Sequence, residues 1–156
     1  MMRKADNDDI DDLLENFIVE ADLAGSWLEH HFLPSRLMFW RKRLDFSRES
    51  LALLVPIIAS TMAPDASPGA LEEVARRVGQ YFGETVQAHA RAFWQRKDVK
   101  FGLRIERTDG KVDVLPIAEP IAHLILAVRD GGPAATELLG RYFDDAVRGS
   151  APPVQC

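Results

Sequence analysis

The chain has 156 residues, of which 47% are hydrophobic and 28% are charged, as is typical of one globular domain that can bury its own core. We therefore treat 1–156 as a single domain and expect flexible tails at 1–7 and 149–156. The net charge of −5 arises from residues 1–25, which carry eight acidic and two basic residues, so the body is nearly neutral. That balance argues against nucleic-acid binding across the whole surface.

The sequence offers no membrane segment and no cysteine chemistry. No apolar run reaches the roughly 18 residues that a membrane-spanning helix needs, and the N-terminus turns acidic after Lys4, unlike a signal peptide. We therefore expect a cytoplasmic protein without a membrane partner. The only cysteine, Cys156, excludes an internal disulfide and a zinc site built from several cysteines. No cofactor is expected.

The first third of the chain is mostly helical by pattern. Apolar residues at three- and four-residue spacing predict a helix over 8–24. Residues 25–44 are rich in apolar side chains, and Phe39 and Trp40 fit either a short strand or an irregular segment. A second helix is predicted over 45–61, where polar cap residues precede an apolar run.

A long helix is predicted over 69–93 because apolar side chains recur along one face. That face comprises Leu71, Val74, Val78, Phe82, Thr85, His89, Ala92 and Phe93. Gly79 and Gly83 lie off this face, and each costs about 1 kcal/mol relative to alanine inside a helix. We expect the two glycines to admit a second packed element, which would make this helix central to the fold.

A β-hairpin follows the long helix. Residues 99–107 alternate between apolar and polar side chains, which predicts a half-buried strand. The Asp-Gly pair at 109–110 predicts a two-residue turn into a second strand over 111–116. In that register Ile105 faces Val114, so the apolar side chains share one face.

The C-terminal third completes the predicted fold. Residues 121–128 fit either a helix or a third strand, and 134–147 predicts a last helix. The expected class is α+β: mostly helical, with a long central helix packed against a small antiparallel sheet that contains the 99–107/111–116 hairpin.

Two segments carry a resemblance to known proteins. Residues 44–51 (Leu-Asp-Phe-Ser-Arg-Glu-Ser-Leu) and 79–84 (Gly-Gln-Tyr-Phe-Gly-Glu), followed by Trp94 and a hairpin ending near Pro116, resemble uncharacterised small bacterial α+β proteins. Some of those accompany toxin systems as candidate immunity proteins. The resemblance covers 44–130 and implies the same fold class and a non-enzymatic role. It supplies no catalytic residue.

Candidate site residues gather on the long helix. Glu84 lies off the apolar face, where it would bind a ligand, accept a hydrogen bond from a neighbouring segment, or face water. His89 lies near the centre of that face and fits a core histidine better than a general base, because no nucleophile and acid pair with it. Adjacent His30 and His31 point in different directions, so no metal site is predicted. Together, Glu84, His89 and Trp94 mark one candidate binding region.

A second candidate surface is basic. Lys100 and Arg104 share the polar face of the predicted strand. They belong to a patch of bases with interleaved aromatics: Arg91, Phe93, Trp94, Arg96, Lys97, Lys100, Phe101, Arg104 and Arg107. The patch fits a solvated outer sheet face, or a surface for an acidic partner such as the acidic N-terminal segment of this chain or of a neighbouring subunit.

These patterns lead to three hypotheses of function. The first is a non-enzymatic binding protein, of immunity or accessory type, that docks a protein partner; a homo-oligomer is compatible with it. The alternative is a small ligand-binding domain or enzyme with a pocket near Glu84, His89 and Trp94, although no catalytic motif is present. Nucleic-acid binding through the hairpin is the third, and it predicts an affinity that falls steeply with salt.

Overall fold

The computed structural model describes residues 2–32, 44–98, 100–131 and 134–153. The three strands follow one another along the chain, with helices before and after them, as in other α+β domains. In chain order they are α1 (Met2–Asp22), α2 (Ala24–Phe32), a short 3-10 helix (Glu49–Leu53), α3 (Leu54–Thr61), α4 (Ala70–His89), β1 (Ala92–Lys97), β2 (Lys100–Glu106), β3 (Val112–Pro116), α5 (Ala118–Asp130) and α6 (Ala134–Val147).

The predicted α+β class is confirmed. The strands form one antiparallel sheet in the order β1-β2-β3, and α1, α4 and α5 pack against one of its faces. On that inner face Trp94, Leu103 and Ile105 are buried, whereas Val112 and Val114 on the opposite face are exposed. Within the described ranges, no helix is long and apolar enough to cross a membrane.

Helix α4 lies at the centre of the molecule and contacts α1, α2, α3, α5, α6 and β1. Its two glycines admit neighbouring elements, as expected. A Cβ atom at Gly79 would lie 2.8 Å from Cγ2 of Ile117, and one at Gly83 would overlap the indole ring of Trp94. Both glycines are therefore required by close packing rather than by an unusual backbone conformation.

The prediction that the long helix extends to residue 93 is wrong at its end. Helix α4 ends at His89, Ala90 is extended, and Ala92 begins β1. Trp94 therefore lies in a strand, opposite Leu103 of β2, and not on the helix. Ala92 and Phe93 continue the helical spacing from His89, whereas the burial of Ala92 and Trp94 follows the two-residue period of a strand; pairing with β2 decides between them.

The first helical region differs from the prediction at both ends. Helix α1 already begins at Met2, and a break at Leu23 separates it from α2, which extends to Phe32. Residues 25–32, for which the sequence predicted no element, are thus helical. The strand or irregular segment predicted at Phe39 and Trp40 lies outside the described residues.

The predicted helix over 45–61 is divided into the 3-10 helix and α3. Ser47 lies two residues before the 3-10 helix, and its Oγ atom accepts the backbone N–H of Ser50 at 3.2 Å. Pro56 lies in the first turn of α3, where its missing N–H needs no intrahelical partner.

The hairpin is present, but its predicted two-residue turn and register are wrong. The N–H of Arg107 donates to the carbonyl of Lys111 at 2.8 Å, and the N–H of Gly110 donates to the carbonyl of Arg107 at 3.1 Å. Gly110 has a positive φ of 85°. These contacts define a three-residue loop that ends in a left-handed glycine, the usual alternative to the two-residue turn.

The longer loop shifts the pairing by one residue. Ile105 lies opposite Asp113, and Val114 lies opposite Arg104. An acidic residue on the inner face is tolerated at this position because Asp113 remains largely exposed and accepts a hydrogen bond from Nε of Arg107 at 2.8 Å.

The C-terminal region follows the predicted helices. Residues 121–128 belong to helix α5, and α6 spans the predicted range. Beyond α6, the carbonyl of Gly149 accepts the N–H of Thr108 at 3.0 Å, and the N–H of Ala151 donates to the carbonyl of Glu106 at 2.9 Å. Part of the segment predicted as a tail, 149–156, is thus bonded to the sheet.

Candidate functional site

An apolar groove of about 590 Å³ lies between α1 and α5, with α4 as its floor. Phe17 of α1 forms one wall, and Ile121 and Ile125 of α5 form the other. Ala75 and Gly79 of α4 lie between them, and the floor is low because both residues are small. The groove exists because Gly79 admits Ile117 deeply, which brings α5 onto α4 while α1 stays apart.

Aromatic rings form the α1 side of the groove. The ring of Phe17 stacks on that of Phe101 with centroids 3.9 Å apart, and it meets the indole of Trp94 edge-on at 4.9 Å. Phe17 belongs to the apolar face of α1, and Phe101 points from β2 towards the same side as Trp94. The contact between these rings fixes α1 against the sheet.

Three charged side chains lie at the rim of the groove: Arg76, Lys100 and Glu119. The guanidinium of Arg76 is already paired with Glu20 at 2.8 Å and with Glu73 at 2.7 Å. Lys100, in contrast, forms no ion pair with any residue that the structure describes. The rim therefore offers one uncompensated cation to an acidic group.

Glu84 and Trp94 do meet, although they come from different elements. The indole Nε1–H of Trp94 donates to Oε1 of Glu84 at 3.1 Å. Burial raises the pKa of Glu84 to about 7; the Trp94 hydrogen bond opposes this shift, and the nearby carboxylate of Asp22 adds to it. Neither residue lines the groove. This carboxylate joins α4 to β1 close to the end of α1.

His89 is separate from that pair and supports the strained residue Phe46. Phe46 has a left-handed backbone, with φ of 62°. Its carbonyl accepts a hydrogen bond from Nε2 of His89 at 2.8 Å, so this nitrogen carries the proton. The His89 ring also meets Phe143 edge-on, with centroids 5.2 Å apart. The prediction of a core histidine is therefore wrong, because His89 is exposed at the end of α4, although these contacts give it a structural role there.

Tyr81 secures the other side of Phe46. Its hydroxyl accepts the Phe46 N–H at 2.9 Å and lies 2.6 Å from Oγ of Ser50. Because the Ser50 hydroxyl donates to the carbonyl of Ser47 at 2.7 Å, Tyr81 is the donor to Ser50. The two segments that carry the family resemblance are thus in direct contact, and burial raises the pKa of the Tyr81 hydroxyl.

Replacing Tyr81 by phenylalanine is expected to lower the free energy of unfolding by about 1–3 kcal/mol, because the N–H of Phe46 loses its acceptor and the buried Ser50 hydroxyl loses its donor. Urea denaturation measures the change. Tyr142→Phe is the matched control, since the Tyr142 hydroxyl bonds only the exposed His123 among the described contacts. Equal stability losses in the two variants would contradict this role of Tyr81.

The basic patch is partly neutralised within the sheet. Glu106 lies 2.9 Å from Arg91 and 3.6 Å from Arg104, and Arg104 also sits over the ring of Phe93 at 5.3 Å. In the described contacts no acidic side chain of the N-terminal segment pairs with these bases, and Glu20 pairs with Arg76 of α4 instead. Lys100 and Arg104 therefore have different surroundings: Lys100 borders the groove, and Arg104 lies on the open sheet face.

Sequence patterns did not reveal the groove, although one signal for it was present. Ala118, Ala122 and Ile125 recur along α5 at three- and four-residue spacing, beside the buried positions Ile121 and Leu124. A second apolar stripe of this kind, next to the core-facing one, is typical of a helix that presents a groove wall. The groove itself depends on how α1 and α5 diverge, which the sequence does not specify.

Metal binding has no support in the described part of the chain, where no three His, Cys, Asp or Glu side chains come together. His31 instead bonds the carbonyl of Trp27 through Nδ1 at 2.8 Å. Comparison of the chain with family models, with curated proteins and with solved structures finds no match.

Proposed function

We propose that this protein is a non-enzymatic binding protein that docks an amphipathic helix of a partner protein in the groove between α1 and α5. The observation that carries the proposal is the groove itself: about 590 Å³, apolar, walled by two helices and floored by a third. Grooves of this construction receive helices through apolar side chains spaced three and four residues apart.

The groove favours a helix because small residues line both its floor on α4 and its wall on α5. Ala75 and Gly79 on α4 and Ala118 and Ala122 on α5 allow a helical backbone to come close. Phe17 on the opposite wall then supplies apolar area for the partner's side chains. Each square ångström of apolar surface removed from water contributes about 25 cal/mol.

The charge at the rim specifies the partner further. Lys100 has no acidic partner among the described residues, whereas Arg76 is already paired. The docked helix should therefore carry an acidic residue at the edge of its apolar stripe, where it would pair with Lys100. The immunity-type role implied by the resemblance would make that helix part of a toxin.

The alternative function, a ligand site or active site at Glu84, His89 and Trp94, has less support. Glu84 and Trp94 bond each other, and His89 bonds the backbone of Phe46. None of the three lines the groove. Their contacts within the chain favour structural roles.

Selection from a displayed library of helical peptides tests the proposal without a known partner. We expect enriched peptides to share an apolar stripe flanked by an acid. Ala122→Glu should weaken the binding of these peptides at least tenfold, because it places a charge in the groove. Lys100→Glu should weaken it severalfold, and a lysine in place of the peptide's acid should restore it.

Leu126→Glu is the matched control, because Leu126 is an exposed apolar residue of α5 outside the groove. It should leave peptide affinity unchanged. Circular dichroism of each variant checks that the fold is retained. Peptides that bind equally well to Ala122→Glu, or a library that yields no groove-dependent binder, would refute the proposal.

A further inference from the structure

No strand in the described part of the chain pairs with the outer edge of β3. Hydrogen bonds join Arg107 to Lys111 at one end of the β2–β3 pair and Ile117 to Phe101 at the other. In an antiparallel pair such residues alternate with ones whose N–H and C=O groups point away from the neighbouring strand. The alternation directs the backbone groups of Val112 and Val114 outward. In the described sheet order, β3 has β2 as its one neighbour.

The side chains along this edge are exposed as well. Val112 and Val114 are 51% and 53% exposed and lie on the sheet face away from the helices. The Asp113 side chain, on the opposite face, is 62% exposed. Exposed valines beside free backbone groups are the features that allow a strand to add to a sheet.

We propose that β3 pairs antiparallel with β3 of a second copy of this chain, about a two-fold axis at Asp113, so that the two sheets become continuous. In this register Val112 lies opposite Val114 of the second copy, and every outward N–H and C=O of the two residues is bonded. The same surface meets itself, as the commonest symmetric dimers require.

The charges of the edge fit this register. Lys111 and Asp113 alternate on one face, so each Asp113 lies diagonal to Lys111 of the second copy, within reach of a long side chain. The two Asp113 carboxylates are neighbours at the axis, but each is also paired with its own Arg107 at 2.8 Å. Two carboxylates would thus lie among four cations.

A shift of the axis to Val114 fits less well. Val112 would then face Pro116, which has no N–H, and the carbonyl of Val112 would lack a donor. Asp113 would lie opposite Leu115 and lose its diagonal to Lys111 of the second copy. The proposed pairing does not depend on the groove between α1 and α5, because it uses only the edge of the sheet.

Mass measurement in solution is the first test. Sedimentation equilibrium of the full chain from about 1 µM to about 1 mM should show a concentration-dependent change from one copy to two. Val114→Lys should weaken association at least tenfold, and Leu126→Lys, at an exposed apolar position of α5, should not. A monomeric wild type over this range, or a dimer that Val114→Lys leaves intact, would overturn the proposal.

Cross-linking tests the register. In a Cys156→Ser background, Asp113→Cys should form a disulfide between two copies, since directly opposite residues at such a position have Cα atoms about 4.5 Å apart. Val112→Cys and Val114→Cys should not cross-link to themselves. Preferential cross-linking of Val114→Cys would overturn the axis at Asp113.

Discussion

Gly83→Ala is expected to lower the free energy of unfolding by about 3 kcal/mol or more, at the upper end of what overpacking costs. In an exposed helix the same change would be favourable by about 1 kcal/mol. Here the added Cβ would overlap the indole of Trp94. That ring cannot withdraw easily, because it is buried, bonded to Glu84 and in edge contact with Phe17.

A double mutant separates this clash from other effects. Trp94→Phe removes the part of the indole that occupies the space beside Gly83, so the combined variant should be more stable than the two single changes added together. Gly79→Ala is the matched comparison. Its Cβ would lie 2.8 Å from Cγ2 of Ile117 and 3.4 Å from Cγ1 of Ile121, without the ring overlap found at Gly83, and it should cost less. Strict additivity at Gly83 and Trp94 in urea denaturation would contradict the proposed contact.

Glu84→Gln is expected to stabilise the protein above pH 7. Burial, with a further contribution from the Asp22 carboxylate, raises the pKa of Glu84 from 4.5 to about 7 in the folded state. Between these values the folded chain holds a proton that the unfolded chain releases, so stability falls as pH rises through this window. Glutamine has no such titration, and its amide oxygen still accepts the Trp94 N–H.

The test plots the free energy of unfolding of Glu84→Gln, minus that of the wild type, against pH; we call this the difference curve. Below about pH 4.5 the stability difference between the variant and the wild type should be constant. From there to about pH 7 the difference should rise by up to about 3 kcal/mol in favour of the variant, since one pKa unit corresponds to about 1.4 kcal/mol. Above about pH 7 it should level off.

A neighbouring variant checks the cause of the shift. Asp22→Asn removes the nearby carboxylate, so it should move the midpoint of the transition to lower pH. A difference curve that stays flat from pH 4.5 to 8 would show that Glu84 ionises as readily in the folded state as in the unfolded one.

The sequence predicted those parts of the fold that depend on local pattern. The stripe from Leu71 to His89 forms one helix, and the helix over 134–147 has the expected bounds. The end of α4 was missed because Ala92 and Phe93 continue the helical stripe, and only the pairing of β1 with β2 makes this segment a strand. The hairpin register was missed because an Asp-Gly pair serves two-residue and three-residue loops alike.

The candidate site was predictable only in part, for a related reason. Glu84 and Trp94 were expected in one region and do meet, but through a contact between a helix and a strand rather than along one helix. His89 was expected in the core, but it is exposed and bonds the carbonyl of Phe46, 43 residues away. The groove depends on the separation between α1 and α5, a distance that no local pattern encodes.

The two glycines of α4 also constrain how this sequence can change in evolution. Each leaves space for one large side chain: Gly79 for that of Ile117 and Gly83 for that of Trp94. A larger residue at either glycine should be tolerated only if the side chain packed against it becomes smaller. Each glycine and its packed residue should therefore vary together among relatives. Two glycines four residues apart, with a tryptophan eleven residues after the second, form a spacing by which distant homologues could be recognised after the rest of the surface has diverged.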